Sequence, residues 1–166
     1  MLTSPSFEDR PAQPYAAINV RVPMGEIGST VPPLLPEVFD WLAQHGVAAA
    51  GPPFFRYLVI DMAGDLEIEA GVPVAAHVVG DERVRAGEFP AGRYATAVHT
   101  GPPGDLVNAT AELLAWAEAN GVSWQTADSP AGEVWGGRAE FYLTDPRDEP
   151  DMNNWQTQLA FLTSDV

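Results

Sequence analysis

The feature that most constrains this chain is that it reads twice. Glu112, Leu113, Leu114, Trp116, Gly121 and Val122 repeat Glu37, Val38, Phe39, Trp41, Gly46 and Val47, each 75 positions later. Tyr94-Ala95 answers Tyr15-Ala16 at 79 positions, and Tyr142-Leu143 answers Tyr57-Leu58 at 85. The second copy is thus shorter between strand and helix. It is longer after the helix, where an insertion carries Trp124 and Trp135.

Each copy has one order of elements. Residues 15–22 alternate Ile18, Val20 and Val22 against Ala17, Asn19 and Arg21, as a half-buried strand does. Residues 31–45 place Leu35, Val38, Phe39 and Leu42 on one helical stripe, and Gly46 supplies the stop. Pro32, Pro33 and Pro36 are confined to the first turn of that helix or to the residues before it. β-rich runs follow at 54–61 and 66–74, joined by a turn at Ala63-Gly64-Asp65. A connector with short strands at 77–79 and 83–89 leads to the second copy. That copy has a strand from Tyr94, a helix over 105–120, a strand through Tyr142 and a closing strand at 155–162. Neither half holds enough strands or core to stand alone. The expected fold is therefore α+β, with duplicated β-α-β-β units at about 15–76 and 91–163 in one antiparallel sheet. Both helices are expected on one face and a ligand groove on the other, within a single domain of residues 15–166. Residues 1–14, polar and Pro-rich, read as a flexible lead-in.

Charge narrows the partners. Eight Lys and Arg against 23 Asp and Glu give a net charge of −15. That balance argues against a nucleic-acid backbone and an anionic membrane, and it permits a cationic ligand or a basic protein partner. No apolar run approaches the ~20 residues of a bilayer span. The absence of cysteine and of a signal-peptide pattern fits a cytoplasmic address.

One stretch carries the chemistry. In Arg138-Ala139-Glu140-Phe141-Tyr142-Leu143, strand alternation sets Phe141 and Leu143 on one face and Glu140 and Tyr142 on the other. The first pair suits a packed layer. The second puts a carboxylate beside a phenol, either as the polar handle of an apolar pocket or at a solvated strand edge. Tyr57 and Phe55 share the inferred face of Glu140 and form an aromatic wall or ordinary sheet residues. Trp135 and Trp124 form a lid or pack in the inserted loop, and Asn19 faces the groove by parity. His45, His77 and His99 have no metal-ligand spacing. Asp145, Asp148, Glu149 and Asp151 lack the order of a calcium loop. No cofactor or metal is expected.

The doubled plan, the run from Tyr94 through His99-Thr100-Gly101-Pro102, the helix end from Trp116 to Gly121, and Glu140-Phe141-Tyr142 together resemble the GyrI-like, or transcription-activator effector-binding, domain. The resemblance implies binding of bulky hydrophobic, often cationic compounds in a groove with an acidic residue, whose place matches Glu140. It also implies an alternative, hydrolysis of cyclopropane-containing compounds by that glutamate. The chain has no length left for a helix-turn-helix module, so it is expected as the ligand-binding unit alone. An acidic protein-interaction module is the third reading.

Overall fold

In the computed structural model, which describes residues 1–164, ten strands pair in one antiparallel sheet. They are β1 (Ser6–Arg10), β2 (Gln13–Pro23), β3 (Phe54–Ile60), β4 (Asp65–Pro73), β5 (Arg85–Phe89), β6 (Gly92–Thr100), β7 (Thr126–Ser129), β8 (Gly132–Trp135), β9 (Arg138–Tyr142) and β10 (Gln156–Leu162). The helices are α1 (Ile27–Thr30), α2 (Leu34–Gln44) and α3 (Leu106–Ala119). The main path runs β1-β6-β10-β9-β3-β4-β2-β5, with the β7–β8 hairpin attached through β8 to β3.

That order reads the same inwards from both edges. β6, β10 and β9 on one side correspond to β2, β4 and β3 on the other, and the halves meet where β3 pairs with β9. At that seam Phe55 lies opposite Glu140, two residues separated by the same 85 positions as Tyr57 and Tyr142. Two copies of one unit placed about this seam generate the order, and we propose the duplication on that ground.

Residues directly opposite each other in antiparallel strands share a face. One row crosses six strands as Ile18, Ala70, Phe55, Glu140, Leu159 and Ala97. Leu34, Val38, Trp41 and Leu42 of α2 pack on Ile18, Ala70 and Phe55. Leu106, Ala109 and Leu113 of α3 pack on Leu159 and Phe161. Both helices therefore cover the same face. Each ends as its sequence requires, with Gly46 at φ 66° and Gly121 at φ 69°, left-handed conformations that favour glycine.

The opposite face is concave. Only Pro90 and Ala91 separate β5 from β6, yet the two strands are six places apart in the sheet. A flat sheet would put them ~29 Å apart, and two residues span only ~11 Å. The sheet must curl until its edges approach. The ring of Phe89 on β5 accordingly lies 5.5 Å from that of Phe141, four strands away. Tyr15, Ala17, Phe54, Phe89, Tyr94, Phe141 and Leu162 fill the inside of the curl. Gly71 is needed there, because a Cβ at that position would stand 2.6 Å from the Phe54 ring.

Several expectations are corrected. Part of the lead-in is structured: Ser6–Arg10 pairs with β6, and Phe7 rests on Trp116 with ring centroids 5.7 Å apart. Residues 77–79 form no strand. Helix α2 starts at Leu34 rather than 31, because Pro32 and Pro33 occupy the turn after α1 and lack the N–H groups to continue it. Leu143 is 44% exposed rather than packed with Phe141, since β9 ends at Tyr142.

Candidate functional site

The crosswise row leaves Glu140 at the centre of the sheet, between the areas covered by α2 and α3. Pairing on both sides fixes its backbone, through Phe55 of β3 and Leu159 of β10. Only 8% of the residue is exposed. Its Oε2 accepts a hydrogen bond from the Tyr142 hydroxyl at 2.8 Å, and its Oε1 accepts one from Tyr57 at 3.3 Å. Tyr142 in turn sets an edge against Phe55 at 4.9 Å. Among the described residues, no cationic side chain lies within ion-pair distance of the carboxylate.

This environment is unfavourable to charge. Burial pushes the Glu140 carboxyl above the usual 4.5, and the Tyr142 and Tyr57 hydroxyls and Arg138 only partly pull it back. Burial, and then the adjacent carboxylate, raise both phenols well above 10, so they donate as neutral hydroxyls. A carboxyl whose pKa is higher in the folded state costs nothing while protonated in both states, and it destabilises as pH rises through that higher value. Glu140→Gln should therefore melt above wild type at neutral pH, with the gap closing below the ordinary carboxylate range. Thermal melts across pH check this, and a gap that stays constant with pH contradicts it.

The seven residues singled out from sequence separate into groups. Glu140, Tyr142, Tyr57 and Phe55 converge. Trp135 approaches them from the β8 end, but it is 4% exposed and packs with Phe161 and Trp124 rather than hanging as a lid. Trp124 is half-buried, with its ring 5.9 Å from that of Trp135 and 5.6 Å from that of Phe161. Asn19 does not join them, because it shares the parity of Tyr15 and Ala17 on the concave face and donates to Glu67 at 2.9 Å.

The acid itself was expected in a groove opposite the helices, and it lies on the helix-covered face instead. The concave face does hold a cavity of about 320 Å³, lined by Arg10, Gln13, Phe89, Tyr94, Phe141 and Gln158, without the glutamate. A second buried acid, Glu69, escaped the sequence reading. It accepts from the Tyr15 hydroxyl, which also accepts from Arg56 at 2.8 Å, so a cation compensates it through one phenol. Arg138 escaped as well, although its spacing of two residues from Glu140 places it on the same face.

The GyrI-like small molecule binding domain matches residues 3–161, and the chain belongs to that family. No curated protein matches it. The C-terminal domain of EcmrR superposes with a TM-score of 0.75 at 18% identity, over 98% of each chain. In the EcmrR–DNA complex the TM-score is also 0.75, at 20% identity, and this chain spans 98% of itself but 58% of that chain. SAV2435 bound to tetraphenylphosphonium gives 0.64 at 6% identity, over 98% of this chain and 94% of that one. A Listeria innocua hydrolase gives 0.58 at 18% identity, over 96% and 91%. At such identities the likeness is one of fold. No helix among the described residues is long and apolar enough to cross a membrane.

Proposed function

We propose that this chain binds hydrophobic, positively charged small molecules over Tyr57, Tyr142 and Phe55, with Glu140 facing the charge. In this reading it sequesters them in the cytoplasm. One observation carries the proposal. Glu140 is buried at the middle of the sheet and bonded only to neutral phenols, so its ionised form has a cost that an incoming cation relieves. The net charge of −15 favours approach of a cation, and the aromatic surround suits one. SAV2435, of the same fold, is bound to tetraphenylphosphonium. The experiment is a tetraphenylphosphonium titration followed by NMR. Shifts are expected at Tyr57, Phe55, Glu140 and Tyr142. Shifts confined to Tyr94, Phe141 and Gln158 would place binding in the concave cavity and overturn the reading.

The raised carboxyl beside two phenols favours a second reading, hydrolysis of a strained ring. Glu140 would take a proton from water as the water oxygen bonds a ring carbon. The ring carbon–carbon bond breaks, its electron pair stays on the leaving carbon, and a tyrosine hydroxyl protonates that carbon. Return of the proton from Glu140 to the tyrosinate completes the cycle.

A further inference from the structure

Two residues before Glu140, on the same face, Arg138 sits in a box of rings. Its guanidinium carbon lies 4.5 Å from the centroid of Trp135, 4.8 Å from Phe161 and 5.7 Å from Tyr57. Its Nε is buried with no hydrogen-bond partner, and among the described residues no carboxylate lies within ion-pair distance of it. Arg56 on the concave face shows the contrast. Its Nε is likewise buried without a partner and it also stacks on rings, yet its terminal nitrogens donate to the Tyr15 hydroxyl and to the carbonyls of Glu88 and Gly136. A guanidinium ordinarily gathers such acceptors, because it has five N–H donors to satisfy. Arg138 is held by π faces, the setting that proteins give to cationic ligands.

We propose that Arg138 is a tethered cation filling the aromatic box beside Glu140, and that it tempers the preference of the site for cations, weakening their binding and strengthening that of anionic ligands of the same shape. This rests on the binding site assigned above and can fail separately from it. A cation lodged against Glu140 comes within poorly screened reach of Arg138, and like charges there repel. To use the box itself, the cation must push the guanidinium back into water. An anion of equal size meets Arg138 favourably. Tyr57 belongs to both settings, since its ring borders the guanidinium and its hydroxyl donates to Glu140.

The test compares three probes of related shape: tetraphenylphosphonium, tetraphenylborate and neutral triphenylphosphine oxide. Each is titrated into wild type, Arg138→Met, Arg138→Lys and Glu140→Gln. Arg138→Met should bind the phosphonium about tenfold more tightly and the borate about tenfold more weakly, the oxide changing by less than about twofold. Arg138→Lys should keep the wild-type ratio of borate to phosphonium affinity. A ratio in Arg138→Met within about threefold of wild type overturns the proposal, provided Glu140→Gln still weakens phosphonium binding. If Glu140→Gln changes nothing either, the binding reading is what fails. Should Arg138→Met not fold, the Arg138 Nε–H resonance of the wild type decides. It should be displaced by the rings and move towards its solvent position when the phosphonium binds. A resonance unmoved at saturation overturns the proposal.

Discussion

Phe54→Ala should lower the unfolding free energy by about 3–5 kcal/mol, the usual cost of emptying a phenylalanine site in a core that cannot collapse. Phe54 is fully buried. Its ring meets Tyr15 at 4.9 Å, Phe89 at 4.8 Å and Phe141 at 5.6 Å, so it joins four strands across the curl. Neighbours drawn from separate paired strands cannot move in together, and the cavity persists. Urea unfolding followed by circular dichroism measures the loss. A loss below about 1.5 kcal/mol would mean that the concave core is loosely packed. The partner site sharpens the test. Gly71→Ala sets a Cβ 2.6 Å from the Phe54 ring, 2.8 Å from the Ala16 carbonyl oxygen and 2.9 Å from the Ala17 Cβ, so it should destabilise wild type by about 1–3 kcal/mol, a loss only partly relieved once Phe54 is alanine. Fully additive losses would mean that the Ala16 and Ala17 contacts, rather than the Phe54 ring, exclude the Cβ.

Glu140→Gln should weaken tetraphenylphosphonium binding by about 1–3 kcal/mol, the range for losing a charge-assisted contact in a buried place. Glutamine preserves the shape and can still accept from one tyrosine, so triphenylphosphine oxide should lose much less. Equal losses for the two probes would make Glu140 a packing residue. Hydrolysis separates from binding at the same position. If Glu140 is a general base, the substitution keeps affinity for a strained substrate and lowers turnover by about 100-fold or more. Calorimetric titration with a turnover assay on the same protein reads both.

Much of the fold was legible because repetition and alternation are properties of the chain alone. Equal offsets for Trp41 and Trp116 placed the two helices, and Tyr15 with Tyr94 placed the strands that lead to them. The pairing of Tyr142 with Tyr57 put these residues beside Glu140, where both donate to it. The seam pairing was beyond local pattern. That Phe55 faces Glu140 across β3 and β9 depends on strands 85 positions apart, and nothing near either residue encodes it. Leu143 was misplaced because its strand stops one residue earlier. Residues 1–14 were misread because a charged edge strand looks like a polar tail until its partner, β6, is known.

The sequence by itself determined that Glu140 and Phe141 point to opposite sides, since alternation in a strand leaves no choice. Which side carries the helices was decided only by the tertiary structure. The short Pro90-Ala91 link forces the sheet to close on itself, and closure fills the concave side with Phe54, Phe89 and Phe141. The helices are left to the convex side, over the face that bears Glu140. The same closure explains Arg138. Its position two residues from the acid was readable, but its box comes from Trp135 of the hairpin, Phe161 of β10 and Tyr57 of β3. Rings brought together from distant parts of the chain can be recognised as a cage only once the sheet has assembled them.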